Sequence, residues 1–544
     1  MSLVLSGSTG ITTSGASSSG GGDIATNTAL GGDALAANTT GANNTAVGYQ
    51  AGDAITTGAS NTALGSGALG ANTTASNNTA IGKDALLVNT TGANNTAVGY
   101  GALDANTTGT SNNAVGLNAL SSNTTGIENC AFGASALRDN TTASYNVAVG
   151  NGALLVNTTG ANNTAIGFVA LSANTTGANN TAVGYQALDA NTTGIQNTAV
   201  GGNSLGANTT GNYNTAVGFG AAGGTTTGEW NTAVGRTALA DNTTGSYNTS
   251  IGGATMDKNT TGANNTAIGY AALTANTTGT NNTAVGYQAL DANTTASSNA
   301  AFGYDALGAN TTGSSCTALG NGALSANTTA SFNTAVGSLA LTGVTTGNDN
   351  TAVGYQAGQY TTSLTTGSQN LLLGAYTRTS ASNSTYQYVI GYDVAGQANS
   401  NVTIGNASGK IYNAFTVNAT WTQTSDERLK RNIQDDTLGL SFINRLRPVK
   451  YQWKPSNEID PTLPYHKEEN NRDTETVMHG LVAQEVKAAL DAEGVSTFAG
   501  WDVGSDSIQA ISREMFVSPL IKAIQELSAQ VTALQAEVNQ LKGQ

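Results

Sequence analysis

Short apolar groups punctuate the chain at a fixed interval. Thr45-Ala46-Val47 leads into Gly48, and the same glycine recurs at 31, 65, 82, 99, 116, 133 and onward to Gly354, twenty positions in strict register without an insertion. The unit that starts at Gly184 reads Gly-Tyr-Gln-Ala-Leu-Asp-Ala-Asn-Thr-Thr-Gly-Ile-Gln-Asn-Thr-Ala-Val, and Gly201 opens the next. Asn-Thr-Thr keeps a constant offset, beginning at Asn38, Asn72, Asn89 and Asn106. A tract rich in Gly, Asn, Thr and Ser reads at first as disorder. A disordered linker, however, has no reason to hold one period all the way from Gly31 to Gly354. Such a period marks stacked structural units, and a unit this short cannot hold the helix pairs of common helical repeats.

Each unit offers two short extended stretches, Asn-Thr-Ala-Val-Gly-Tyr and Ala-Leu-x-x-Asn, separated by Gly and Asn turn chemistry. Alternate residues of a strand face opposite ways. One face of Thr45, Ala46 and Val47 therefore fills the coil, and the other is available to a neighbouring chain. The expected fold is mostly β: a parallel β-solenoid with Ala, Val and Leu as fillers and stacked Asn and Thr ladders along it. Coils stacked at about 4.8 Å make a shaft of roughly 95 Å. So thin a coil buries little apolar surface, and association with other copies is the natural remedy. Later glycines at 374, 391 and 405 break the even step, so the regularity fades before residue 424.

Composition adds a boundary. Residues 1–424 contain no proline, whereas Pro448, Pro455, Pro461, Pro464 and Pro519 all follow. Charged residues number 18 in 1–374, 3 in 375–424 and 31 in 425–544. Four segments result: an N-terminal attachment segment (1–27), the shaft (28–374), an irregular tip (375–424) and an α+β C-terminal domain (425–544). A net charge of −14 argues against a nucleic-acid partner, because phosphate binders concentrate Lys and Arg. No apolar run approaches the roughly 20 residues of a membrane span. Nor does the start, Met-Ser-Leu-Val-Leu-Ser-Gly, have the cationic flank of a signal peptide. Cys130 and Cys316 lie eleven coils apart in this scheme, about 50 Å, too far for a disulfide, and are expected to be structural. No metal or cofactor is expected.

The last helix carries Leu520, Ile524, Leu527, Val531, Leu534, Val538 and Leu541, spaced alternately by four and three. That spacing is a coiled-coil seam over 518–542, with a core stripe of one globular domain as the alternative. Val or Ile alternating with Leu favours two strands in isolated coiled coils.

Two resemblances bear on assembly. The Asn-Thr-Ala-Val-Gly units resemble the head repeats of trimeric autotransporter adhesins, which form left-handed parallel β-rolls. The likeness covers roughly residues 28–405, although the adhesin repeats are usually shorter than the units here. Thr424–Ile433, Leu446–Lys454 and His479–Val486, in this order after a repetitive stretch, resemble the intramolecular chaperone, auto-processing domain of phage tailspikes and endosialidases. Both resemblances imply a homotrimer. The second also implies a self-cleaving peptidase, with Thr424–Ser425 as the scissile bond, Ser425 as nucleophile and Lys430 as general base. The chemistry is reasonable, since burial disfavours an ammonium and frees a lysine to take the serine proton. His479 is an auxiliary candidate or a structural histidine. Without the resemblance, Ser425 reads as a helix N-cap followed by acidic residues in the first turn.

The function these features imply is a phage tail fibre for host attachment, joined to a tail or baseplate protein through its N-terminus. It would be made in the host cytoplasm and be extracellular after lysis. Its host-surface glycan or protein would meet the irregular region 360–424, which carries Tyr360 and Tyr376, chiefly at Tyr386, Tyr388, Tyr392, Tyr412 and Trp421, unless those rings pack the trimer. Alternatives are a glycan-degrading tailspike, a bacterial trimeric adhesin or an ice-binding threonine array. A glycan-cleaving enzyme needs paired carboxylates, and Asp189 and Asp291 read as single turn residues.

Overall fold

The computed structural model describes residues 3–5, 11–13, 26–414, 422–423, 427, 430–463, 466–470, 473–503 and 508–543. It divides into two compact units, Met1–Thr424 and Ser425–Gln544.

In the first unit, β1 (Leu3–Leu5) and β2 (Ile11–Thr13) pair antiparallel. Strands β3 (Thr28–Leu30) to β22 (Thr351–Val353) follow, each of them short and every one parallel to the next. Register follows the repeat: Thr45 pairs with Thr62, Ala46 with Ala63 and Val47 with Leu64. The fold is a parallel β-solenoid in which one sequence repeat makes one coil. The step lengthens to β23 (Leu371–Leu373), as Thr351 pairs with Leu371. It shortens between β24 (Tyr388–Tyr392) and β25 (Asn401–Asn406), where Tyr388 pairs with Val402. Two antiparallel strands, β26 (Lys410–Ala414) and β27 (Thr422–Gln423), end the ladder.

The residues of one coil explain its shape. The middle residue of each strand points inward, and Ala46, Ala97, Ala182 and Ala284 are fully buried. The third residue points out, so the Val of this position lies at the surface, and the valines that do fill the core, Val344, Val389 and Val394, stand elsewhere near the end of the solenoid. Leu64, Phe132, Ile166 and Val217 of that column are exposed. Inside, the columns of Ala are joined by Leu69, Leu86, Leu103 and their equivalents.

Ala-Leu-x-x-Asn is a turn, and each coil has one strand where two were predicted. Gln186 and Leu188 both have left-handed backbones (φ 52 and 53°). A closed coil this short must reverse direction sharply, and these two reversals turn the leucine side chain inward. Polar columns complete the interior. Asn112 donates to Gly126 O (2.8 Å) and to Asn95 Oδ1 (3.2 Å), while its own Oδ1 accepts from the Asn129 backbone (3.0 Å). A second column repeats Asn106 Nδ2 to Asn89 Oδ1 at 2.8 Å. Buried amides satisfied in this way hold adjacent coils in step.

The glycine period has a steric cause. Gly184 has φ +143°, and a Cβ there would lie 2.5 Å from the Gly201 carbonyl oxygen. Each glycine of the column meets the next coil in this way.

The second unit packs α1 (Leu440–Arg445), α2 (Ala483–Ala492) and the start of α3 (Val517–Lys542) around Leu438, Phe442, Val486, Ala489, Leu490 and Phe516. Two antiparallel pairs flank them, β28 (Val449–Tyr451) with β29 (Met478–Gly480) and β30 (Trp501–Val503) with β31 (Gln509–Ile511).

Candidate functional site

In the second unit, α3 is anchored only at its base. Pro519 and Ala523 are buried, Phe516 stacks on Phe442, and the Glu526 carboxylate accepts the Leu440 N–H (2.8 Å) at the start of α1. Ser518 Oγ donates to Asp436 (2.9 Å). From Leu527 to Gly543 every residue is exposed. The whole seam, Leu520, Ile524, Leu527, Val531, Leu534, Val538 and Leu541, is exposed within the single chain. Leu520 also lines an open apolar groove of about 390 Å³ with Ile443, Leu446, Pro448, Leu481 and Phe516.

His479 and Arg513 also line that groove. His479 sits on β29 opposite Lys450 of β28 and is exposed. Thr424 and Ser425 lie outside the described residues. Lys430 is exposed, and its backbone N–H donates to the Glu427 carbonyl at 2.9 Å.

The acids of the solenoid are less isolated than the sequence suggests. Burial raises the pKa of Asp53, Asp104, Asp189, Asp291 and Asp305. A carboxylate on an adjacent coil adds to the rise at three of them: Asp33 at Asp53, Asp84 at Asp104, and Asp305 at Asp291. Asp104 Oδ1 is buried without a hydrogen-bond partner. Backbone N–H groups of the same turn oppose that rise at Asp53, Asp104, Asp189 and Asp291. Among the described residues no group of three or more His, Cys, Asp or Glu is placed to hold a metal. No helix among them is long and apolar enough to cross a membrane. In the Asn-Thr-Thr columns the first threonine donates its hydroxyl one coil onward, as Thr107 does to Thr124 O (3.0 Å).

The end of the solenoid gathers aromatic and charged groups. Tyr386, Tyr388 and Tyr392 are exposed and Tyr412 is half-buried, while Trp421 lies outside the described residues. Tyr392 joins a cluster with Tyr355, Tyr360 and Tyr376, in which Tyr376 stands edge-on to Tyr355 (5.4 Å) and to Tyr392 (5.7 Å). Arg378 Nη1 pairs with Asp393 at 2.6 Å, and its guanidinium lies over the Tyr360 ring. Sequence reasoning missed Tyr355, which belongs to the regular repeat, and the charges beside it. The signal for the charges was present, since Arg378, Asp393 and Lys410 are all the charged residues of 375–424.

Residues 425–495, the stretch that carries α1, α2 and the β28–β29 pair, match the family model described as Chaperone of endosialidase. Comparison with curated proteins and with solved structures gives no match.

Proposed function

We propose, from a chain in which an endosialidase-type chaperone domain follows a β-solenoid, that three copies assemble into a fibre that attaches a phage tail to its host. The observation that carries this reading is the apolar surface left uncovered in one chain. The third strand residues form one column along the solenoid, including Leu64, Phe132, Ile166, Val217, Ile268 and Leu319, all exposed. Two residues on, Tyr49, Tyr100, Tyr185, Phe219 and Tyr287 form another. Monomeric proteins rarely expose a continuous apolar patch beyond a few hundred Å². The first of these columns stays apolar through all twenty coils, a surface suited to a second and third copy of itself. The seam of α3 asks for the same partners.

Identical coils pair almost as well one step out of register, so a separate device must align the chains. A C-terminal domain that associates first supplies it, and coils then form from an aligned end.

Release follows in this reading. The Ser425 hydroxyl attacks the Thr424 carbonyl carbon while Lys430 takes its proton. The C–N bond breaks with that proton passing to the leaving amine, and water hydrolyses the ester to leave a Thr424 carboxylate. Lys430 is exposed in the single chain, and the desolvation a neutral lysine needs would come from the neighbouring copies. Cleavage is therefore coupled to assembly. The separated fibre, without its nucleus, persists through a high unfolding barrier.

Intact mass and light scattering on the purified protein test both parts. The expected result is a trimer cut at Thr424–Ser425, and a Ser425→Ala chain that stays full length yet still trimerises. A single chain in solution removes the fibre reading. A Ser425→Ala chain cut like the parent removes the assigned nucleophile.

A further inference from the structure

Where tyrosines of the shaft fall on successive coils, they stack on one another. Tyr270, Tyr287 and Tyr304 lie 5.7 and 5.4 Å apart with planes 19° and 4° from parallel, so each ring covers the face of the next. At the C-terminal end of the solenoid, tyrosines on successive coils no longer stack. Tyr376 turns 89° from Tyr355 and 87° from Tyr392, and Tyr360 meets it obliquely at 4.8 Å. No parallel ring among the described residues covers these tyrosines, and Tyr392 is 60% exposed.

The same place holds the positive charge of an otherwise acidic unit. Residues 1–374 carry four basic and fourteen acidic side chains. Here two cations face one anion. Arg378 Nη1 bonds to Asp393 Oδ1 and to the Tyr376 carbonyl (3.3 Å), while its Nε and Nη2 have no hydrogen-bond partner among the described residues. The Arg378 backbone pairs with Ala395, whose carbonyl accepts Lys410 Nζ at 3.2 Å. Burial, and then the neighbouring Arg378 charge, lower the pKa of the Lys410 ammonium, as expected where positive charge is in excess.

Uncovered tyrosine rings offer an apolar face with a polar tip, which suits the C–H face of a sugar. The planar Nε–Nη2 edge of an arginine matches a carboxylate with two parallel hydrogen bonds. We propose that Tyr355, Tyr360, Tyr376 and Tyr392, with Arg378 and Lys410, bind a carboxylate-bearing saccharide at the end of the solenoid. This rests on the attachment reading above, in which cleavage at Thr424 leaves this region near the new C terminus.

The test titrates the purified protein, its trimeric state and cleavage first verified, with oligomers of galacturonic, glucuronic and mannuronic acid. Each is run beside its carboxyl-reduced counterpart. At least one acid form should bind about tenfold tighter than its reduced form and weaken as salt is added. Arg378→Gln should erase that preference. Lys410→Gln, which leaves the Arg378–Asp393 pair intact, should reduce it by several-fold. Tyr392→Ala should weaken acid and reduced forms alike. No binding by a normally assembled, cleaved trimer overturns the proposal, as does a preference that Arg378→Gln leaves unchanged. A change of oligomeric state in Tyr392→Ala, without loss of sugar, would make the patch a chain-to-chain contact instead. Failure of the underlying fibre reading is separate, because it appears as a single chain before any sugar is added.

Discussion

At the scale of single residues, two columns of glycine run along the coils, the second interrupted by alanine, and they differ in tolerance. Gly184 combines φ +143° with a Cβ position 2.5 Å from the next carbonyl oxygen, and neither backbone can yield without breaking the ladder. Gly177 belongs to a second column: a Cβ there would come just as close to the Gly194 carbonyl oxygen, but its backbone is not left-handed, and Ala75, Ala143, Ala296 and Ala330 occupy the equivalent place. Gly184→Ala is therefore expected to cost about 1–3 kcal/mol, read as faster amide exchange in the coils on either side. Gly177→Ala should stay within about 1 kcal/mol of the parent. Equal effects at the two positions would contradict the assignment of the cost to the positive φ of Gly184. The Gly184 period was legible because a backbone constraint of this kind admits one residue type. The inward asparagines were harder to read, since Asn on a surface ladder and Asn inside a coil have the same spacing.

Among the elements, α3 makes the clearest demand. Its 26 residues span about 39 Å, and only the base is held by its own unit. Leucines facing water contribute nothing to the fold of one chain, whereas each one buried is worth about 1.5–3 kcal/mol. Leu527→Asp with Leu534→Asp should lower the mass by light scattering from trimer to single chain. The core of Phe442, Val486 and Leu490 should stay folded by circular dichroism, because neither leucine belongs to it. An unchanged mass would place assembly elsewhere, and a dimer in the parent would follow the preference of Val and Ile alternating with Leu. The heptad spacing was visible in the sequence. The strand count per coil was not, because Ala-Leu reads as extended until closure of the coil forces the leucine into a left-handed backbone.

For the whole molecule, acid should act on the two units in opposite directions. Asp53, Asp104, Asp189, Asp257, Asp291 and Asp305 have pKa values raised above 3.8, first by burial. A raised folded pKa means the native state binds protons more tightly, so these groups destabilise the solenoid at neutral pH. That penalty fades as pH falls through the raised values toward 3.8. Asp460, Asp473 and Glu493 of the second unit are lowered by hydrogen bonds, and their support is lost as pH falls through the lowered values. The second unit's transition should therefore fall only below about pH 4.5, the ordinary carboxylate range, whereas calorimetry between about pH 7 and pH 4 should show the solenoid transition rising. A solenoid transition that falls over that range would refute the assignment.

The sequence by itself determined the coil, its length, its register and its parallel sheet, because a strictly periodic chain can satisfy its backbone by placing each repeat on the one before. It also revealed the change of composition near residue 424 and the heptad seam. Tertiary structure alone decided which side chains face in. Closure of so small a ring leaves room for alanine, leucine and hydrogen-bonded asparagine and sends valine and tyrosine outward. It alone brought Arg378, Asp393 and Lys410 beside four tyrosines, since residues on neighbouring coils meet through stacking and not through adjacency in the chain.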